Sequence, residues 1–170
     1  MKKFFKNIFF IFVVCLFTAP AYAASDTQTL PLTFHIEPVT AVRAQASSGG
    51  PSVDLGVVVP GVELPAEILQ VSVLTNTEDP YRVFHELRNE MTNGTGTQVP
   101  DQSFKFLVTT GMGNGESVVN SWTAVPPQRS PVFNSRGGPA TFMIHYTLSG
   151  KNLLEAGDYY GNVHITLENH

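Results

Sequence analysis

Short apolar runs separated by turn residues are the feature that most constrains the fold of this chain. The runs are roughly four to eight residues long, rich in valine, threonine and phenylalanine, and bounded by clusters of glycine, proline, serine and asparagine. Glycine supplies the positive φ that tight turns need, and proline interrupts sheet pairing. Many short strands joined by such turns are typical of two packed antiparallel sheets. The sequence therefore predicts an all-β, antiparallel β-sandwich.

The predicted strands cover most of the chain beyond its first thirty residues. They are Leu30–Val42, Ser52–Val59, Glu67–Thr75, Tyr81–Leu87, Ser103–Thr109, Ser117–Thr123, Ala140–Leu148 and Tyr159–Leu167. The segment Tyr81–Met91 also fits a helix, because four apolar side chains fall on a helical stripe. The flanking Asp79-Pro80 and Asn93-Gly94 are typical of hairpin turns and favour a strand running into a loop.

The N-terminus has the pattern of an export signal. Lys2, Lys3 and Lys6 precede an apolar run, Ile8–Phe17, which is followed by a small-residue boundary at Ala21-Tyr22-Ala23. This order is typical of a cleaved signal peptide, and the run is shorter than the roughly 18 apolar residues that span a bilayer. We therefore expect a signal peptide at 1–23, export to the periplasm, and no membrane span in the mature chain.

Cysteine usage and charge exclude two classes of protein. The one cysteine, Cys15, lies in the apolar run of the leader, so the exported chain is not a small disulfide-framework domain. The whole chain carries 10 Lys and Arg against 14 Asp and Glu, and three of those lysines lie in the leader. The exported protein is therefore acidic, which argues against nucleic acid as a partner.

No group of side chains in the sequence indicates catalysis. The expected neighbouring strands place His145 near His164, but no third metal ligand stands at a suitable spacing, and solvent-facing histidines are the favoured interpretation. The acidic pairs fall in turns or on polar faces, where solvated charge is the rule. We expect no enzyme activity and no catalytic, metal or cofactor site.

Aromatic side chains allow a different binding function. Trp122 and four tyrosines could form a platform that stacks on sugar rings, although Trp122 is predicted to plug the core at the end of a strand. The four tyrosines are Tyr81, Tyr146, Tyr159 and Tyr160.

Two alternating apolar stripes lie at the ends of the exported chain. The first comprises Leu30, Leu32, Phe34 and Ile36, and the second comprises Val163, Ile165 and Leu167. Burying the four side chains of the first stripe is worth on the order of 6 to 12 kcal/mol before ordering costs. The first stripe must therefore be covered, either by its own domain or by a neighbouring molecule, and periodicity leaves both alternatives open.

Three segments resemble one family of surface proteins. Leu32–Val39 looks like the N-terminal donor strand of chaperone–usher fimbrial subunits, particularly the alpha class of colonisation-factor fimbriae, in which an alternating apolar strand leads into an acidic residue, a proline and a valine. Val71–Thr77 is similar to a strand of that class that ends in Thr-Asn. Ala156–Leu167 looks like the pilin C-terminal strand, and the absence of cysteine after residue 23 also fits that class.

The resemblance implies an immunoglobulin-like sandwich that lacks its last strand and is completed by a donated one. In this reading 24–42 is an N-terminal extension containing the donor strand, with contacts through Leu30, Leu32, Phe34 and Ile36, and 43–170 is the sandwich domain. The acceptor groove would be lined by Gly157, Tyr159, Val163, Ile165 and Leu167. The implied partners are copies of this chain or related subunits, a periplasmic chaperone and an outer-membrane usher.

The expected function is thus a structural pilin-like subunit of a surface fimbria with a role in adhesion. The alternative is a self-complete periplasmic or surface β-sandwich that binds a glycan or a protein. In that alternative, residues 30–36 pair within their own chain.

Overall fold

A computed structural model describes residues 31, 33–50, 52–59, 62, 64–149 and 155–169. Within these ranges the chain forms strands and no helix, in two antiparallel sheets, which confirms the predicted all-β sandwich. The nine strands of the described residues are β1 (Thr40–Ala46), β2 (Glu67–Thr75), β3 (Tyr81–Thr92), β4 (Phe104–Thr110), β5 (Gly115–Ser117), β6 (Thr123–Ala124), β7 (Ser130–Ser135), β8 (Ala140–Leu148) and β9 (Tyr160–Asn169).

Sheet I has three interior strands and sheet II has two, each set flanked by two edge strands. Sheet I has the order β1-β2-β8-β4-β6, and sheet II has the order β5-β7-β3-β9. The chain divides into two units between Ile36 and Glu37, and the strands above all lie in the second unit. Consecutive strands alternate between the sheets after β2, so neighbours within a sheet come from distant parts of the sequence.

The core lies between the two sheets and follows from period-two alternation. Side chains at alternate positions of the central strands point inward and are buried. They include Leu69, Val71, Val73, Phe106, Val108, Phe142, Ile144 and Tyr146 from sheet I, and Tyr81, Val83, His85 and Phe133 from sheet II. The rings of Phe133 and Phe142 stack across the sheets with centroids 4.5 Å apart, a geometry that favours aromatic packing.

One titratable pair lies inside this core. His85 has no exposed surface, stacks on Phe106 with ring centroids 5.1 Å apart, and places its Nε2 3.0 Å from the Tyr146 hydroxyl. Burial lowers the pKa of His85 to about 4 and raises the pKa of Tyr146, because the charged form of each group would lose its hydration. Both side chains are therefore neutral near pH 7.

The segment that also fitted a helix is a single strand. β3 runs through Tyr81–Thr92, with register shifts against β9 between Leu87 and Asn89 and again between Asn89 and Thr92. Leu87 and Met91 lie four positions apart, so both fall on the inner row of the strand and pack against the core. Phe84 lies on the outer face, under the Arg129 guanidinium group, so the helical spacing in the sequence combines residues from both faces of one strand.

Three predicted strands differ from the structure. Of Leu30–Val42, the described residues before Thr40 are not strand. Residues 52–59 form no strand, although Val53, Leu55 and Val58 pack against the core. Ser117–Thr123 is wrong because this segment crosses between the sheets: the backbone N–H of Val118 bonds to Val132 in sheet II, and the carbonyl of Val119 accepts from Val108 in sheet I.

Candidate functional site

The free edge of β9 is the most unusual feature of the sandwich. β9 has ten residues and lies at the end of sheet II. It pairs with β3 on one side, and no strand among the described residues pairs with its other side. A long edge presents unpaired backbone N–H and C=O groups, which are a ready template for another strand. This edge is therefore a candidate site for β-strand addition.

The inner face of β9 is only partly covered. Val163, Ile165 and Leu167 lie opposite Leu87, His85 and Val83 of β3, and all three are half-buried. Ile165 and Leu167 pack against the core. In contrast, the inward side chains in the middle of β8 have at most 2% of their surface exposed. The apolar layer thus thins out toward this edge of the sandwich.

The edge strand of sheet I lies on the same side of the molecule. β1 and β9 approach each other, although they belong to different sheets. Val42 of β1 is half-buried against the core, and Ala44, on the inward row opposite Val71, is exposed. We call the free edges of β1 and β9, with the inward side chains Val42, Ala44, Val163, Ile165 and Leu167, the open seam.

A cleft adjoins the β1 side of the open seam. Its volume is about 270 Å³, and the residues that line it are Arg43, Ala44, Gln45, Gly49 and Gly50. The turn that closes this cleft is held by hydrogen bonds between the backbones of Ala46 and Gly50 and of Gly49 and Ala46. The sequence analysis missed β1 as part of the site, although Thr40, Val42, Ala44 and Ala46 do share one face at period two.

Gly157 and Tyr159 lie just before β9 and not on it. Tyr159 is half-buried against the core, and its hydroxyl donates to the carbonyl of Glu155 at 3.0 Å. Thr97 Oγ1 donates to Glu155 Oε2 at 2.6 Å, which ties this segment to the turn after β3. Asn93, buried in that turn, accepts from the backbone N–H groups of Thr95 and Thr97. These contacts fix where β9 begins.

The N-terminal stripe is exposed where the structure describes it. Phe34 is 80% exposed and Ile36 is 66% exposed, and residues 33–39 adopt no strand. Leu30 and Leu32 lie outside the described residues. Exposure of two large apolar side chains on one short segment is costly in water.

The chain that follows this stripe is held by one residue, Asn76. Asn76 donates from Nδ2 to the carbonyl of Glu37 at 2.9 Å and accepts at Oδ1 from the N–H of Val39 at 2.7 Å. The backbone N–H of Asn76 also donates to the carbonyl of Val39 at 3.3 Å. The position at which the extension joins β1 is therefore fixed. Sequence reasoning gave no role to Asn76.

The histidine pair considered from the sequence is not formed. His145 lies on β8 in sheet I and His164 on β9 in sheet II, so the expected adjacency of their strands is wrong. His145 Nε2 lies 2.9 Å from Thr109 Oγ1, and partial burial lowers the pKa of His145. No three His, Cys, Asp or Glu side chains within the described ranges are grouped as a metal site would need.

The aromatic residues do not share one surface. Tyr81 and Tyr146 are core residues with 1% and 2% of their surface exposed, whereas Tyr160 on β9 is 73% exposed. Trp122 is 45% exposed and does not plug the core as predicted, because it lies in the segment that crosses between the sheets. Tyr81 and Tyr146 are therefore not available to a surface that stacks on a sugar.

Among the residues that the structure describes, no helix is long and apolar enough to cross a bilayer. Compared with known proteins, the chain matches no family model and no curated protein.

Proposed function

We propose that this protein is a structural subunit that polymerises by strand donation. In this proposal the stripe Leu30, Leu32, Phe34 and Ile36 of one copy enters the open seam of the next and pairs with the free edge of β9. The proposed setting is a bacterial surface fimbria with a role in adhesion, reached through a periplasmic chaperone and an outer-membrane usher. These partners and the fimbrial setting follow from the family resemblance of the sequence, whereas the exported location follows from the signal pattern at residues 1–23.

One observation carries the proposal: a long edge strand, unpaired on its outer side by any described strand and only partly covered on its apolar face, occurs in the same chain as an exposed apolar stripe. Each feature alone is a liability, since both favour aggregation. Together they are complementary, because a donated strand would satisfy the backbone edge while its apolar side chains cover Val163, Ile165 and Leu167. Burying Phe34 and Ile36 would contribute about 1.5–3 kcal/mol each before ordering costs.

The self-complete alternative requires the first stripe to pair inside its own chain. The outer edge of β9, which no strand among the described residues pairs, is better accounted for by a strand supplied from outside. Strand donation is therefore the function that the geometry supports best.

Disulfide trapping between two differently tagged populations tests the proposal. The exported chain is expected to contain no native cysteine, so one population carries His35→Cys and the other carries His164→Cys or Asn162→Cys. His164 and Asn162 are exposed positions of β9 that sample two registers, and paired strands bring such side chains to within about 5.5 Å. The matched control is Glu116→Cys, on the opposite edge of the same sheet.

We expect heterodimers to form between the His35→Cys chain and at least one β9 variant, and not with Glu116→Cys. A single chain that carries both cysteines should give disulfide-linked ladders. Formation of only intramolecular disulfides in that double variant would overturn strand donation and support the self-complete alternative. Equal crosslinking to Glu116→Cys would show that the contacts are nonspecific and would also count against the proposal.

A further inference from the structure

We infer that Arg129 is a positioning residue for β9, holding this strand in place for capture of a donated strand. The inference rests on the proposed function, because capture by β9 is what gives the position of β9 its importance. It assigns to Arg129 a role in strand binding that is separate from any general role in stability.

The side chain of Arg129 connects two strands of sheet II that are not neighbours. Arg129 immediately precedes β7, and β3 lies between β7 and β9 in the sheet. The guanidinium carbon lies 3.9 Å from the centroid of the Phe84 ring on β3. The side chain thus crosses the outer face of β3 to reach β9.

On β9 the guanidinium group contacts two consecutive outward positions. Nε donates to Thr166 Oγ1 at 3.3 Å, and Nη2 lies 2.7 Å from Glu168 Oε1. Thr166 is the register partner of Phe84, so the stacked ring and the hydrogen bond act at the same level of the sheet. A planar group with several fixed donors can make all three contacts at once, whereas lysine cannot.

These contacts are placed where they can persist during strand capture. They lie on the outer face of the sheet, so they leave both the free backbone edge of β9 and its inner apolar face uncovered. Their effect is local, because the ladder between β3 and β9 is regular from Tyr81 to Leu87 and shifts register beyond Leu87. Arg129 therefore reinforces the regular half of β9, where Ile165 and Leu167 face the core.

An edge strand that is ladder-bonded on one side opens more readily than a central strand. Holding β9 in its paired position before a second strand arrives reduces the ordering cost of binding. Loss of Arg129 should therefore shorten the lifetime of the captured strand more than it lowers the stability of the whole domain. Exposed cation–π and ion-pair contacts of this kind correspond to an effect of about 5- to 30-fold.

The test compares Arg129→Gln with Arg136→Gln in the full exported chain. The backbone N–H of Arg136 bonds to Asn114, and its exposed side chain lies in the turn after β7, so it is a control for removing a surface arginine. A fluorescent peptide with the sequence of residues 24–37 serves as the probe, and its dissociation rate is measured by anisotropy. Hydrogen exchange of the Tyr160–Asn169 amides and urea unfolding are measured in parallel.

We expect Arg129→Gln to raise the dissociation rate and the exchange of β9 amides by about 5- to 30-fold, with a smaller fold-change in the global unfolding constant. Glu168→Gln should reproduce part of this effect, and the double variant should add little to Arg129→Gln, because the two groups act as one unit. Arg136→Gln should match the unaltered protein.

The possible failures are distinguishable. If the unaltered chain binds the peptide and Arg129→Gln releases it at the same rate, the inference is wrong while the proposed function stands. If Arg129→Gln changes dissociation only in proportion to global unfolding, Arg129 is merely structural and the inference is also wrong. If the unaltered chain binds no peptide and forms no crosslinked ladders, the proposed function fails and the inference fails with it.

Discussion

The two edges of sheet II are terminated in different ways. β5, at one edge, has three residues and begins at Gly115, whose backbone is pressed against Phe133 and Asn134. β9, at the other edge, has ten residues and alternates apolar side chains on its inner face. A short edge strand is a common protection against unwanted pairing. The protein thus protects one edge of the sheet and leaves the other edge available.

The largest expected effect on assembly comes from disrupting the N-terminal stripe that we propose as the partner of the β9 edge. Phe34→Asp combined with Ile36→Asp should abolish assembly, lowering the association constant by more than about 1,000-fold, because two buried apolar contacts are lost and two charges would enter an apolar groove. Sedimentation velocity of the exported chain measures the loss. The urea midpoint should stay unchanged, since both side chains are exposed.

Val57→Asp is the matched control. Val57 is an exposed apolar residue like Phe34 and Ile36, with 83% of its surface exposed, but it lies outside both stripes. This variant should assemble normally. If the Phe34 and Ile36 double variant loses the folded sandwich, the stripe stabilises its own domain. The difference between the β5 and β9 edges would then not be explained by strand donation.

Acid should loosen both edges together, because His85 lies on β3 between β7 and β9. Its pKa is lowered to about 4 in the folded protein, so between that value and about 6.5 the unfolded chain binds more protons. Stability is therefore complete above about pH 6.5 and falls by about 3 kcal/mol as the pH drops toward 4. Urea unfolding across this range measures the slope.

The variant His85→Phe keeps an aromatic ring against Phe106 and removes the titration. It should flatten the pH dependence between 6.5 and 4 even if its stability at pH 7 is lower. An undiminished slope in this variant would assign the acid sensitivity to other groups.

A smaller difference in stability is expected between two variants that each add one methyl group, one on β5 and one on β9. In Gly115→Ala the new Cβ would lie 2.6 Å from the carbonyl oxygen of Asn134, a backbone atom, and against the Phe133 ring. This change should cost about 2–3 kcal/mol. In Gly161→Ala the nearest atom is Met91 Cγ, at 2.8 Å, and a flexible methionine can move aside.

We therefore expect Gly161→Ala to cost less than about 1 kcal/mol. Thermal and urea unfolding of the two variants test the difference. Equal costs would indicate that the β9 edge is packed as rigidly as the β5 edge, which would weaken the distinction between them.

Regular alternation explains which strands could be predicted from the sequence. The predicted bounds of β2 and β8 are those observed, because both are central strands with one uninterrupted inward row. β7 was missed because adjacent Val132 and Phe133 are both buried. A register shift between Val83 and Phe84 leaves Val132 as an extra residue opposite β3, and such a bulge removes the period-two signal.

Alternation in the sequence also predicted the part of the candidate site that lies on β9. The inward row Val163, Ile165 and Leu167 follows from alternation alone, and the structure places it on an edge. The contribution of β1 depends on which strands meet across the sandwich, and Arg129 acts through a contact with Thr166 that spans 37 positions in sequence. Local periodicity carries no information on such long-range contacts.

Asn76 has a mechanical consequence in a filament built as proposed. Tension between successive subunits would pass from the donated segment into the sandwich at Glu37–Val39, where three hydrogen bonds join this chain to Asn76. β1 continues from this point and pairs with β2 over seven residue positions. Pulling along these strands would load their hydrogen bonds in parallel, and simultaneous loading resists rupture better than opening the bonds one by one.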